Sequence, residues 1–336
     1  MGHAPGLHRL EARVPRERRL TKRRILKDIA RLRFGEGHDC TLPAALAAAS
    51  GAEYDWLLGC SGEAFRTAID EETWDPLAAA PRGERTAAEM ARAAGIRLDP
   101  VAPPYDEEMR ALVTDRIAES VDAHLPPLVR GLGGPPEYGL LIGYDLDGPA
   151  FFARTFFDKS EDARRVGWEA FADAERGGIT FLDRVTAPDR SASVREGIAA
   201  ALATGDESDQ ALESWAAALR DDARWTDPKH AGTAAFADHA MRTILVDKRR
   251  AAARFLRSAR GIFPSAPGGD LLRAAESYGY AADAATKGGV GEFNGGVAMR
   301  FIDVGHRRAW AKNLDAVRNH DREGREALGA ARAGMR

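Results

Sequence analysis

Three short apolar runs in the middle of the chain constrain its fold most. PPLVRGL, YGLLIGYDLDG and AFFARTFFD follow one another between residues 126 and 158, rich in branched and aromatic side chains and divided by Gly and Pro turns. They read as three strands, with Asp147-Gly148 forming a hairpin turn between the last two. Helical patterns flank them. Upstream, Thr41 to Ser50 reads as a helix closed by Gly51, with Asp39 as its N-cap. EYDWLLGCSGEAF is a short apolar segment broken by Gly59 and Gly62, and TAAEMARAAGI and EEMRALVTDRIAESVDAHL are helical. In the last of these, Met109, Leu112, Val113, Ile117 and Val121 make an apolar stripe. From about residue 188 the chain reads as almost entirely helical. One face there carries Met241, Ile244, Leu245, Lys248, Ala252, Phe255, Leu256 and Ala259, the pattern of a helical bundle. The Gly-rich TKGGVGEFNGG follows no strand and reads as a loop, not a dinucleotide fingerprint. Helices, then an antiparallel sheet, then helices is an α+β order and not an alternating one. The expected parts are a basic arm over 1–36, a mixed core over 37–187 and a helical domain over 188–336.

Composition narrows the function. No apolar run in the 336 residues approaches 18, so no membrane span is expected. The first 20 residues have no apolar signal core, and two cysteines make no disulfide framework, so cytoplasmic localisation is expected. CxxC, HExxH and P-loop patterns are missing, which argues against a metal site or a nucleotide phosphate cradle. Between Arg9 and Arg33, eleven Lys or Arg residues face three acids. This segment reads either as a surface helix, docked through Leu20, Ile25, Leu26, Ile29 and Leu32, or as a landing site for an acidic partner. Nucleic acid is not the expected partner, because no aromatic stacking platform accompanies the arm.

GHDCTLPAALAAASG puts Cys40 at the head of a helix, where the dipole and free N–H groups favour the thiolate, the reactive form. A free cysteine in such a place is also often a small core residue. Cys60, in GCSG, reads as packing, while Ser61 and Gly62 beside it would offer backbone N–H groups to a substrate oxygen.

A cysteine-headed helix, an apolar helical stretch and a small antiparallel sheet is the element order of papain-like enzymes. GHDCTLPAALAAASG, LLGCSGEAF and LPPLVRGLGGPPEYGLLIGYDLDGPAFFARTFFD together resemble the BtrH-type family, named for an acyltransferase of butirosin biosynthesis. WAAALRDDARW and DKRRAAARFLRSAR extend the resemblance over roughly residues 37 to 285. It implies a papain-like cysteine-protease fold with a C-terminal helical region. It also implies transfer of an (amino)acyl group from a carrier-protein thioester to the amine of a small molecule such as an aminosugar. The condensing enzymes of lincosamide biosynthesis look like a related use. Carried over by position, Cys40 matches the nucleophile, Glu137-Tyr138 stand where related proteases place histidine, and Asp158 stands where a third triad member would sit. The departure at 137–138 argues against a Cys-His-Asp peptidase, since a carboxylate cannot form the thiolate–imidazolium pair. It gives Glu137 a different task, accepting the proton of the attacking ammonium.

His38, Tyr138, Arg154 and Ser61 are the expected substrate-binding residues. Arg18, Arg19, Lys22, Arg23 and Arg24 are the expected docking surface for an acidic acyl or peptidyl carrier protein. No cofactor of the chain's own is expected; the phosphopantetheine belongs to the carrier. A homo-oligomer is compatible with the sequence. Two alternatives stay open: a cysteine peptidase or amidase, and a non-catalytic binding protein on the same fold.

Overall fold

The computed structural model describes residues 22–132, 135–148, 150–171, 178–287 and 301–335. The chain is α+β, with one antiparallel sheet and a helical C-terminal half. Its seven described strands are β1 (Arg23–Ile25), β2 (Ile96–Val101), β3 (Leu128–Arg130), β4 (Tyr138–Asp145), β5 (Ala150–Arg154), β6 (Arg164–Val166) and β7 (Gly178–Arg184). They run in the order β2-β7-β3-β4-β5-β6, with β1 added beside β4. The three expected runs became β3, β4 and β5, and β4 and β5 pair as the expected hairpin. β4 is the centre: β3 covers Tyr138–Leu140 and β1 covers Gly143–Asp145, both along the edge away from β5.

β1 corrects the reading of this segment as a surface helix, from residue 22 onward. Leu26, Ile29 and Leu32 are buried as that reading required, but Arg23–Ile25 pair with the second half of β4, which supplies an edge, and the chain runs on through bends without forming a helix. Arg23–Ile25 of the arm therefore belong to the sheet.

The helices are α1 (Thr41–Ser50), α2 (Tyr54–Cys60), α3 (Glu84–Ala93), α4 (Glu107–Asp122), α5 (Arg190–Ala203), α6 (Gly205–Arg220), α7 (Pro228–Arg260), α8 (Ala266–Thr286) and α9 (Val304–Gly334). α1 ends as expected, with Gly51 at φ 78° returning its N–H to the Ala47 carbonyl. Val113, Ile117 and Val121 bury the α4 stripe, while Leu112 stands exposed. TKGGVGEFNGG falls mostly outside the described residues.

One hydrophobic cluster runs from Leu26 through the sheet to Leu328 on α9, so the core and the helical half share an interior. α7, 33 residues long, is the join. α2 lies so close to it that an ideal Cβ on Gly59 would sit 2.1 Å from the Phe255 ring. Arg249, fully buried, donates to Asp321 of α9 at 2.8 Å, to the Ala64 carbonyl at 3.0 Å and to Thr67 Oγ1 at 2.6 Å. A buried guanidinium with these partners is satisfied, so it ties α7 to α9 and to the turn after α2. Among the described residues, no helix is long and apolar enough to cross a membrane.

Candidate functional site

The first turn of α1 is capped by Cys40 itself, at φ −89° and ψ 110°, with its carbonyl accepting the Ala44 N–H at 3.1 Å. Asp39 is not the cap, because its carboxylate turns back to accept the N–H of Gly35. The Cys40 N–H donates instead to the Tyr54 hydroxyl at 3.0 Å. Tyr54, on α2, donates that hydroxyl to Asp247 Oδ2 on α7, and the Asp39 N–H reaches the same oxygen at 3.0 Å. Asp247 Oδ1 is buried with no hydrogen-bond partner. Beside Asp247 on the helix, Lys248 Nζ donates to Glu63 Oε2 at 3.2 Å and to the Ala79 carbonyl at 3.3 Å. The exposed imidazole of His38 stacks on Tyr54, ring centroids 4.3 Å apart.

This cluster is buried and mostly acidic. Cys40 is 0% exposed, and burial pushes its thiol well above the usual range; the Asp247 carboxylate adds to the rise, and Lys248 and Tyr54 oppose it. Burial therefore outweighs the helix dipole expected to favour the thiolate. Burial and the neighbouring Asp247 push the Asp39 carboxyl up to about 7, against the N–H groups of Gly35, Gly37 and Glu36. Burial also raises Asp247 and lowers Lys248, whose ammonium is held up by Glu63.

Glu137 comes close to this cluster. It precedes β4, and its Oε2 accepts the hydroxyl of Thr41, the residue after Cys40; the same hydroxyl oxygen accepts the Tyr138 N–H at 3.3 Å. Burial raises the Glu137 carboxyl, while Thr41 and Arg130 draw it down. Tyr138 is half-buried, with the Arg130 guanidinium 5.8 Å from its ring centroid.

The other expected site residues lie elsewhere. Asp158 closes a turn after β5: its carboxylate accepts the Thr155 N–H at 2.8 Å and hydroxyl at 3.0 Å and meets Arg164 at 3.2 Å. Among the described residues nothing links it to Cys40, and its oxygens are occupied. Ser61 gives its hydroxyl to the Leu58 carbonyl at 3.1 Å and its N–H to Leu57 at 3.2 Å, while the Gly62 N–H goes to Gly59. The C-terminal turn of α2 consumes the donors expected for a substrate oxygen. Arg154, opposite Leu140 in the sheet, keeps buried Nε and Nη1 atoms without partners.

The docking set divides. Arg18 and Arg19 lie outside the described residues. Lys22 pairs with Asp147 at 3.2 Å, Arg23 with Asp145 at 3.8 Å and Arg24 with Asp122 at 3.1 Å. Arg23 also lies over the Phe152 ring. Lys22 and Arg23 thus meet acids of the β4–β5 hairpin and Arg24 meets an acid of α4, so each of the three has an acid of the chain itself beside it.

Tyr54, Asp247 and Glu63 were missed from the sequence, and Lys248 was read only as part of an apolar face. That face held the one signal: a lysine in a stripe of buried positions needs a partner. Among the described residues, no group of three or more His, Cys, Asp or Glu side chains is arranged to hold a metal ion. In comparisons with known proteins, the chain matches no family model and no curated protein.

Proposed function

We propose that the chain is an amide-forming acyltransferase on a papain-like core. It moves an (amino)acyl group from the phosphopantetheine thioester of an acidic carrier protein to the amine of a small molecule, an aminosugar being the class the sequence resemblance suggests. The observation that carries this reading is the meeting of α1 and β4: Cys40 heads the helix, and Glu137 at the strand start is tied to the next residue, Thr41. In the first step the Cys40 sulfur attacks the thioester carbonyl and gives up its proton, the carrier's C–S bond breaks, and the carrier thiol leaves with a proton. In the second step the amine attacks the acyl-Cys40 carbonyl, Glu137 takes a proton from the attacking nitrogen, the C–S bond to Cys40 breaks, and that same proton passes on to the departing sulfur, which restores the thiol and the Glu137 carboxylate. A Glu137 carboxyl raised by burial suits that role, because a weaker acid is a stronger base. Lys248 is the cation that favours the Cys40 thiolate. Carrier docking rests on the net basic charge of the N-terminal segment.

A binding protein in which Cys40 only packs is the competing reading, and the complete burial and raised pKa of the thiol favour it. Intact-mass measurement after incubation with an aminoacyl-phosphopantetheine thioester separates the two. Acyl transfer predicts one added acyl group, removed by an amine and missing in Cys40→Ala; no adduct and no amide product would end the proposal.

A further inference from the structure

We infer that Cys40 is held in a closed state by a gate running from Gly35 to His38, and that a substrate reaches the sulfur only when this gate lifts. The inference rests on Cys40 being the reactive group proposed above. Cys40, Tyr54 and Asp247 are exposed by only 0%, 4% and 2%. The exposed ring of His38 lies over Tyr54, and Tyr54 in turn holds the Cys40 N–H. These contacts place the His38 ring at the outer surface of the Cys40 cluster.

The segment has the backbone of a hinge. Gly35 and Gly37 adopt φ 87° and 89°, and a Cβ on either would meet nothing within 4 Å. Glycine is needed there for its left-handed backbone, not for space. The gate is held shut by few contacts. On the inside, the Asp39 carboxylate accepts the Gly35 N–H, with the N–H groups of Glu36 and Gly37 also acting on it. On the outside, Glu36 meets Arg33 at 3.1 Å, and Arg33 also holds Glu161. Phe34, 45% exposed, and Glu36 line a surface cavity of about 360 Å³ together with Arg31, Arg33 and Phe156, so the segment is not packed on that side. A loop with so little buried contact opens at low cost.

The closed state blocks chemistry as well as access. The Cys40 N–H, a donor on the same residue as the sulfur, is occupied by the Tyr54 hydroxyl. Lifting His38 gives Tyr54 room to withdraw and frees that donor.

The test is the rate of iodoacetamide alkylation at Cys40, read by peptide mass mapping. Cys60, buried at the end of α2, is the internal reference. The gate predicts slow alkylation of wild-type Cys40, about 100-fold or more below an unhindered thiol. Gly37→Ala raises the rate about tenfold, since alanine at a left-handed backbone disfavours the closed loop by roughly that factor, and His38→Ala raises it by removing the ring stacked on Tyr54. The Cys60 rate stays constant. Cys40 rates equal to wild type in both variants would overturn the inference, as would wild-type Cys40 reacting like a free thiol. A rise at Cys60 in step with Cys40 would also overturn it, because the exposure would then be global. Acyl loading is read separately by intact mass: a gated Cys40 that never loads an acyl group refutes the acyltransferase and leaves the gate standing.

Discussion

Lys248→Met is the substitution whose cost the structure defines best. Lys248 and Glu63 have side chains only 2% and 7% exposed, and their charged atoms lie 3.2 Å apart. Removing the ammonium leaves the Glu63 carboxylate in the interior, a loss of about 3–5 kcal/mol for a broken buried pair. Two weaker partners soften it: Arg66 at 3.5 Å and the Thr86 hydroxyl at 3.5 Å both face Glu63 Oε1. The expected cost is therefore near the lower bound, about 3 kcal/mol. Glu63→Gln/Lys248→Met removes both charges and should recover about 2 kcal/mol of that loss. Urea unfolding of the wild type, both single variants and the double variant gives the coupling directly. A single-variant cost under about 1 kcal/mol, or additive single costs, would refute the buried pair. The same series reads the site, since removing the cation beside Cys40 should raise its thiol pKa further.

Three further outcomes follow from the same geometry. Glu137→Gln keeps an oxygen for the Thr41 hydroxyl but loses the base, so aminolysis should slow about 10²–10⁴-fold while the burst of Cys40 acylation is unchanged; equal loss in both half-reactions contradicts the role. The folded-state pKa of Asp39, raised to about 7, means the folded chain holds this proton more tightly than the unfolded chain. Its stabilising effect is thus full below about pH 4 and is lost as pH rises through 7, by at most about 4 kcal/mol. Asp39→Asn should flatten the fall of Tm over that range, and an unchanged slope would exclude Asp39 as its source. Gly59→Ala forces a Cβ into the Phe255 ring and should cost about 3 kcal/mol in urea unfolding, partly recovered by Phe255→Leu; an undisturbed midpoint would contradict the α2–α7 contact.

Elements whose own side chains state their environment were legible in the sequence. β3, β4 and β5 carry continuous apolar runs because they are central or nearly so, and α7 shows its buried face at helical spacing. β1 and β6, read RRI and RRV, were not legible: each is three residues long, and each owes its extended form to a neighbouring strand. β2, IRLDPV, is likewise polar enough to read as a loop. Cys40 and Glu137 were candidates from the sequence because a helix head and a strand start are local signals. Asp247 was not, because it meets Asp39 across 208 residues and only the packing of α7 brings it there. Complete burial of the thiol was also beyond local reading, since Tyr54 of α2 and Asp247 and Lys248 of α7 surround it from distant parts of the chain.

The central claim is that Cys40 carries the acyl group. The direct measurement is the rate of amide formation from an aminoacyl-phosphopantetheine thioester and an amine by wild type and Cys40→Ala, with folding of both checked by urea unfolding. The account predicts a loss of about 10³-fold or more in Cys40→Ala, with no acylated protein at any time point. Turnover in Cys40→Ala equal to that of the wild type would contradict it.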